Sequence, residues 1–184
     1  MMPSIAAGPA IDETFWMHST QILNQLRYKQ WADGRTLDAM ALIDPERFPS
    51  EIAFARQQLN HMVRVEEVFR ARLLGDNEPH ANSNSEVVPA LEELSRRLSE
   101  SNDWLQTYAK SLSSEKLVEK IRFRFLDGKG GTMTREEVLF HLVNHGTYHR
   151  GAIGRALDLA EGLRPADTYT VFVHAMEPGR RGES

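Results

Sequence analysis

The sequence contains no cysteine, which excludes disulfides, thiolate metal sites and cysteine nucleophiles. It also lacks an apolar run near the 18 or so residues that a membrane-spanning helix needs. There is no excess of basic residues, since 22 Lys and Arg stand against 26 Asp and Glu, a net charge of −4. A broad nucleic-acid-binding face needs clustered cations, so we expect no nucleic acid and no membrane as partners. Any bound metal ion must be held by His, Asp or Glu.

The length of 184 residues, with 41% hydrophobic and 26% charged residues, is that of one globular domain. We expect a flexible N-terminus over residues 1–11, a folded domain over 12–176 and a flexible C-terminal tail over 177–184. The N-terminal residues include no basic stretch, and two prolines and a glycine interrupt their apolar run. No secretory signal is therefore expected, and we expect a cytoplasmic protein.

Apolar residues recur with helical periodicity in four long segments. We expect the first from Asp12 to Leu42, the second from an N-cap at Ser50 to Leu74, the third from near Pro89 to Ser111, and the fourth from a capping box at Thr134 and Glu137 to Gly162. Gly75 is the expected end signal of the second helix. Four long helices with short connections predict an all-α fold, an antiparallel four-helix bundle.

The periodicity changes just before the fourth helix. Ile121, Phe123 and Phe125 alternate with arginines, which is typical of a half-buried strand. The following DGKGG can form a tight turn, so we predict a small β element there. Near the C-terminus, ADTYTVFVHAM is interpreted as a final strand or a packed turn.

The sequence feature most suggestive of chemistry is a series of three histidines, His141, His145 and His149, spaced four residues apart inside the fourth helix. Residues four apart stack one helical turn apart, so two of them can reach one ion. All three cannot, because the outer pair are about 12 Å apart along the axis. The spacing leaves the pairs His141/His145 and His145/His149 as alternatives.

A further ligand must come from another segment, and the remaining histidines are His18, His61, His80 and His174. His61 lies midway along the second predicted helix among apolar residues. A buried imidazole there needs a partner, and a metal ion would be one. An isolated histidine on such a face is more commonly a hydrogen-bonded core residue.

Several other residues adjoin these histidines in the sequence. Asn60, Glu66 and Asn144 could orient imidazole N–H groups, although each is more commonly a solvated helix residue. We expect Tyr148 to pack and Arg150 to be a surface or interface charge.

Three segments together resemble a known family. HLVNHGTYHRG, from His141 to Gly151, closely resembles the last-helix signature of the DinB family, the DinB/YfiT-like metalloenzymes. LRYKQWADGRTLDAM is similar to that family's first-helix motif, and LNHMVRVEEVFRARLLG to its second-helix motif. The likeness extends from about residue 19 to about residue 172.

The resemblance implies an up-down-down-up four-helix bundle that holds a divalent metal ion through three histidines. Matching the motifs residue by residue puts the ligands at His61, His145 and His149. His141 then lies one turn before the ligand pair, where we expect it to contact the ligands rather than the ion.

Three neutral imidazoles leave a coordination position open, as in catalytic zinc sites. Zn or Ni is the expected ion, and Fe, Co or Mn also suits this ligand set. The resemblance implies a metal-dependent enzyme, S-transferase-like, that activates a low-molecular-weight thiol or water, with a small-molecule substrate and a homodimeric state. The alternatives are a metal-dependent hydrolase and a non-catalytic, metal-stabilised stress-response binding protein.

Overall fold

The computed structural model describes residues 13–125 and 128–182, with side chains from residue 21 onward. The segment 1–11, predicted to be flexible, and the last two residues of the predicted tail lie outside the described residues. The described chain is mostly helical with one small antiparallel sheet, which confirms the all-α expectation with a β element. Its elements are α1 (Glu13–Ala41), α2 (Pro49–Leu74), α3 (Leu91–Ser111), α4 (Ser114–Leu117), β1 (Lys120–Arg124), β2 (Gly130–Thr134), α5 (Arg135–Leu159) and α6 (Tyr169–Met176).

The starts of α2 and α3 differ from the predicted bounds by one or two residues. α2 begins at Pro49, so Ser50 is not the N-cap but the second helical residue. Proline's fixed φ suits the first position of a helix, where its missing N–H has no partner to lose. α3 begins at Leu91, so Pro89 lies just before it. Gly75 ends α2 in the left-handed conformation with φ 77°, as predicted.

The predicted β element is a hairpin that leads directly into α5. β1 and β2 pair so that Phe123 lies opposite Gly131. A side chain at Gly131 would place its Cβ 2.7 Å from ring atoms of both Phe123 and Phe125. The close approach of these rings therefore requires a glycine in β2.

The capping box at the start of α5 is present as predicted. The Thr134 hydroxyl accepts a hydrogen bond from the Glu137 amide at 3.1 Å, and the Glu137 carboxylate accepts one from the Thr134 amide at 2.7 Å. Because two amides without helical partners are satisfied, α5 begins at a defined residue immediately after β2.

The expectation of a strand or packed turn near the C-terminus is wrong, because this segment forms α6. Tyr169 and Phe172 of α6 pack their rings on Tyr28, with centroids 5.5 and 5.9 Å away, and Phe172 also lies 5.6 Å from Trp31. A short apolar run has no periodicity that distinguishes a strand from a helix. Here the packing of the segment against α1 favours the helix. Beyond α6 lies one 3-10 turn, Pro178–Arg180, and the flexibility of the tail stays a prediction.

The four long helices form the main packing layer around two clusters of buried residues. α1 and α2 each pack on both α3 and α5, and α6 packs on α1. One cluster is centred on Leu26, Leu105 and Leu139, the other on Met40, Leu59, Leu94 and Ile153. Among the described residues, no helix combines the length and the apolar character needed to cross a membrane.

Candidate metal centre

His61, His145 and His149 lie together where α2 passes α5. One ligand nitrogen from each lies within 4.8 Å of the other two. The Nε2 atoms of His61 and His145 are 3.1 Å apart. Tetrahedral zinc with metal–nitrogen bonds of about 2.05 Å requires nitrogens about 3.3 Å apart. The spacing of His61 and His145 is therefore close to that of two ligands sharing one small cation, with a nitrogen of His149 within 4.8 Å of both.

Burial favours the neutral form of two of these imidazoles, His145 and His149. It lowers the pKa of His145 to about 3, and the neighbouring His149 and His61 lower it further by repelling a second charge. The pKa of His149 falls to about 4, again through burial first and the charge of His61 second. At pH 7 both rings therefore keep a lone pair on one nitrogen, as metal binding requires.

Gln58 of α2 holds the ring of His149 in place. Its Oε1 lies 2.7 Å from Nδ1 of His149. Because an amide oxygen can only accept, Nδ1 carries the proton and Nε2 keeps the lone pair. Metal-binding histidines commonly donate their second N–H to such an oxygen. The sequence analysis missed Gln58, although its place three residues before His61 puts it on the same edge of α2.

His141 lies one turn before His145 and does not join the group of three. Its ring centroid is 5.4 Å from that of His145 and 5.0 Å from that of Phe69. Burial lowers the pKa of His141 as well. The ring thus contacts one of the three histidines, and its supporting role stays a prediction.

The remaining histidine candidates are not brought to this group. His80 bonds the carboxylate of Glu67 at 2.5 Å, and Arg97 holds the same carboxylate through two nitrogens. His174 is half-buried and bonds the Thr170 carbonyl of its own helix. The side chain of His18 lies outside the described residues.

A buried ionic cluster lies next to the histidines. Lys29 is fully buried and contacts the carboxylates of Asp33 at 2.7 Å and Glu66 at 2.8 Å. Arg150 bonds Asp33 at 2.8 Å and Asp167 at 2.8 Å. Asn102 and Ser101 of α3 complete the hydrogen bonding of these carboxylates. The cluster therefore joins α1, α2, α3 and α5 at one level of the fold.

The charges of this cluster depend on their mutual contacts. Burial opposes the ionised form of Asp33, but Lys29 and Arg150 outweigh it and hold the pKa of Asp33 below its ordinary value. Burial also opposes the charge of Lys29, yet Asp33 and Glu66 raise its pKa. For Glu66 burial dominates and raises the pKa.

Gly146 brings the cluster close to the histidines. A Cβ at Gly146 would lie 3.1 Å from Nη1 of Arg150, 3.7 Å from Cε of Lys29 and 3.8 Å from Cε of Met62. Gly146 follows His145 in α5, and Met62 follows His61 in α2. The ionic cluster thus packs directly against the two segments that carry the histidines.

Two expectations about neighbouring charges are therefore wrong. Arg150 is not a surface charge but is 3% exposed, because two carboxylates compensate its guanidinium. Glu66 does not orient an imidazole and is not solvated, since Lys29 and Ser101 bind its carboxylate. Each was misassigned because its partners are distant in sequence.

The structure also shows where the other residues that adjoin the histidines in the sequence lie. Asn60 is buried and donates to the Ser85 hydroxyl at 2.9 Å, which helps to hold the loop between α2 and α3 on α2. Asn144 is exposed. Tyr148, which we expected to pack, is 75% exposed and is not part of the buried core. Its ring meets that of His149 edge-on at 5.1 Å, at the solvent side of the three histidines.

Comparison with protein families gives a match over nearly the whole chain. A model of the family described as "DinB family" matches residues 17–182. Among curated proteins, no match was found.

Proposed function

The chain belongs to the DinB family, and from this premise we propose a metal-dependent enzyme whose divalent ion is held by His61, His145 and His149. The observation that carries the proposal is the convergence of three imidazoles from two helices, with their ligand nitrogens within 4.8 Å of one another. The low pKa of His145 and His149 and the Gln58 hydrogen bond support it, because both favour a lone pair at the shared point.

We further propose Zn or Ni as the ion, with Fe, Co or Mn as less favoured alternatives. Neutral imidazoles bind all of these, so the preference for Zn or Ni rests on the family relationship and not on the ligand type. A bound ion of this kind supplies a Lewis acid that lowers the pKa of a thiol or a water molecule beside it.

The protein's own residues would prepare this site. Gln58 fixes the tautomer of His149. The half-buried position of the three histidines leaves one side open to solvent, beside the exposed ring of Tyr148. A small molecule could approach from that side. We propose a low-molecular-weight thiol as the reactant to test first, in an S-transferase-like reaction, on the family relationship alone.

The metal centre is tested by elemental analysis of untagged protein. We expect about one equivalent of divalent ion in the wild type and loss of that ion in His145→Gln. His174→Gln is the matched control, since His174 lies on α6, outside the group of three histidines, and bonds a carbonyl of its own helix. Wild-type protein that takes up no ion, or an H145Q variant that retains it, would rule out this site.

The reaction class is tested by screening thiols with an electrophile, with and without the ion. Consumption of thiol that depends on the ion and is lost in H145Q supports transfer. Hydrolysis of esters or amides without thiol would replace transfer by hydrolysis. If metal strongly raises thermal stability but no turnover occurs, the protein would be a non-catalytic metal-stabilised module.

We also propose the up-down-down-up order of the four long helices. Its support lies in pairs of contacting residues along neighbouring helices. α1 and α5 meet in the same chain direction, as do α2 and α3, whereas α2 and α5 meet in opposite directions. The pairs are Lys29–Gly146 and Asp33–Arg150, Arg56–Pro89 and Glu67–Arg97, and Gln58–His149 and His61–His145. The homodimer remains a proposal on the family relationship, to be tested by light scattering.

A further inference from the structure

A cavity of about 350 Å³ lies between α2 and α5. Phe54 lies one turn before Gln58 on α2, and Ala152 lies one turn after His149 on α5, and both line the cavity. One helical turn advances about 5.4 Å. Because Gln58 and His149 are bonded to each other, the cavity begins about one turn from the histidines.

The walls of this cavity are apolar. Phe54 and Leu159 form two of them and are 48% and 53% exposed, and the short side chains of Ala152 and Ala156 leave the space between them. The volume lies near the lower end of the range for small-molecule pockets, which are largely apolar. Large apolar side chains left exposed around a concave surface mark a binding site more often than isolated exposed residues do.

The rim indicates an uncharged occupant. Ser50, Glu51 and Arg155 supply the only polar side chains among the described residues that line the cavity. Glu51 and Arg155 have opposite charges, so the rim favours neither an anion nor a cation. The apolar walls, in contrast, favour a hydrocarbon group, which gains free energy for each methylene removed from water.

We propose that this cavity binds an uncharged alkyl or acyl chain of the substrate whose reacting end lies at His61, His145 and His149. The inference rests on the proposed metal centre for the position of the reacting end. The cavity is present in the chain without a metal ion, so binding of an alkyl chain can be tested on the metal-free protein.

The first experiment measures binding of 1-hexanol to the metal-free protein by carbon–proton NMR of methyl groups. We expect saturable shifts of the Ala152, Ala156 and Leu159 methyls. Ala152→Trp fills the cavity and should abolish the shifts at Ala156 and Leu159. Ala53→Trp, an exposed position of α2 that does not line the cavity, is the matched control and should retain them.

The second experiment compares acetohydroxamate, hexanohydroxamate and octanohydroxamate by calorimetry on the zinc-loaded protein, since a hydroxamate binds zinc and its chain can extend away from it. We expect the affinity to rise by about threefold to fourfold per methylene until the cavity is full. Ala152→Trp should flatten this dependence, and Leu159→Ser, which removes an exposed wall, should weaken it. Ala53→Trp should keep it.

The outcomes separate this inference from the proposed function. If acetohydroxamate binds but longer chains bind no tighter, the metal centre stands and the inference is overturned. If no hydroxamate binds, the metal centre fails, and hexanol shifts decide whether the cavity takes a chain at all. Absence of hexanol shifts overturns the inference in either case. If the methyl shifts change with protein concentration and not with hexanol concentration, the cavity is occupied by a second copy of the chain, and the inference is overturned.

Discussion

Single side chains determine the chemistry of the three histidines where α2 passes α5. The amide oxygen of Gln58 can only accept, so Nδ1 of His149 carries the proton and Nε2 keeps the lone pair that a shared ion needs. The carboxylate of Asp33 has a comparable role in the neighbouring ionic cluster, since it binds Lys29 and Arg150 together. Both side chains act through direct contacts of 2.7–2.8 Å with their partners.

Replacing Gln58 should weaken metal binding without removing a ligand. In Gln58→Leu the Nδ1–H of His149 loses its acceptor, and losses of this kind lower metal affinity by about 10- to 100-fold. Competition against a chelator of known affinity measures the change. Gln57→Leu is the control, because Gln57 bonds Asn84 and no histidine. Equal affinities for the wild type and Q58L would show that the hydrogen bond does not support the site.

Removing the charge of Arg150 should destabilise the whole domain. In Arg150→Met, Asp33 and Asp167 lose a cation, and an uncompensated buried charge costs about 3–5 kcal/mol. Urea unfolding of the metal-free protein measures this loss. Arg155→Met on the same helix is exposed and should change stability by no more than about 0.5 kcal/mol. A similar small effect for both variants would contradict the cluster's role in stability.

At the scale of elements, α5 carries most of the features that locate the site. The hairpin delivers the chain to Thr134, the capping box starts the helix, and His145 and His149 then lie three and four turns further on. A helix start shifted by one residue would turn both histidines by about 100° away from α2. The local start signal therefore matters for the site as well as for stability.

Loss of the capping hydroxyl should weaken the start of α5. Thr134→Ala removes the acceptor of the Glu137 amide, which costs about 0.5–2 kcal/mol. Thermal or urea unfolding measures the cost. Thr107→Ala is the matched control, because Thr107 is exposed inside α3 and bonds only a carbonyl one turn back. There the change to a better helix former should leave stability unchanged or slightly higher.

For the whole molecule, the buried neutral histidines link stability to pH. In the metal-free protein His145 and His149 have pKa values of about 3 and about 4, whereas unfolded histidine titrates near 6.5. Between these values the unfolded chain binds protons that the folded protein does not. The free energy of unfolding must therefore fall as the pH is lowered from about 6.5 toward about 4.

Urea unfolding in the presence of a chelator at pH 7.5, 6 and 5 tests this dependence. Carboxylates whose pKa is lowered in the fold, such as that of Glu67, lose their contribution only below their ordinary pKa near 4.5. Glu66, whose pKa burial raises, opposes the histidine effect in this interval, so comparison with a histidine variant is needed to isolate the histidine contribution. A variant with both His145→Gln and His149→Gln should show a flatter dependence. The same slope in the variant and the wild type would assign the effect to other groups.

Several elements of the fold were predictable from short stretches of sequence. The capping box of Thr134 and Glu137 and the left-handed Gly75 depend on residues within one turn of each other. α6 was not predictable, because TYTVFVHAM carries no periodicity that separates strand from helix, and its rings dock on Tyr28 and Trp31. The burial of Arg150 was also not predictable, because its partner Asp33 is 117 residues away in the sequence.

The sequence by itself narrowed the candidate metal ligands, because a chain without cysteine must use His, Asp or Glu, and the four-residue spacing on one helix singles out histidines one turn apart. It left two pairs of histidines open on spacing alone. Only the tertiary structure brings His61 to His145 and sets Gln58 against His149, across 84 and 91 residues of chain. Contacts of that range arise from the packing of α2 on α5, and no local pattern encodes which faces two helices turn toward each other.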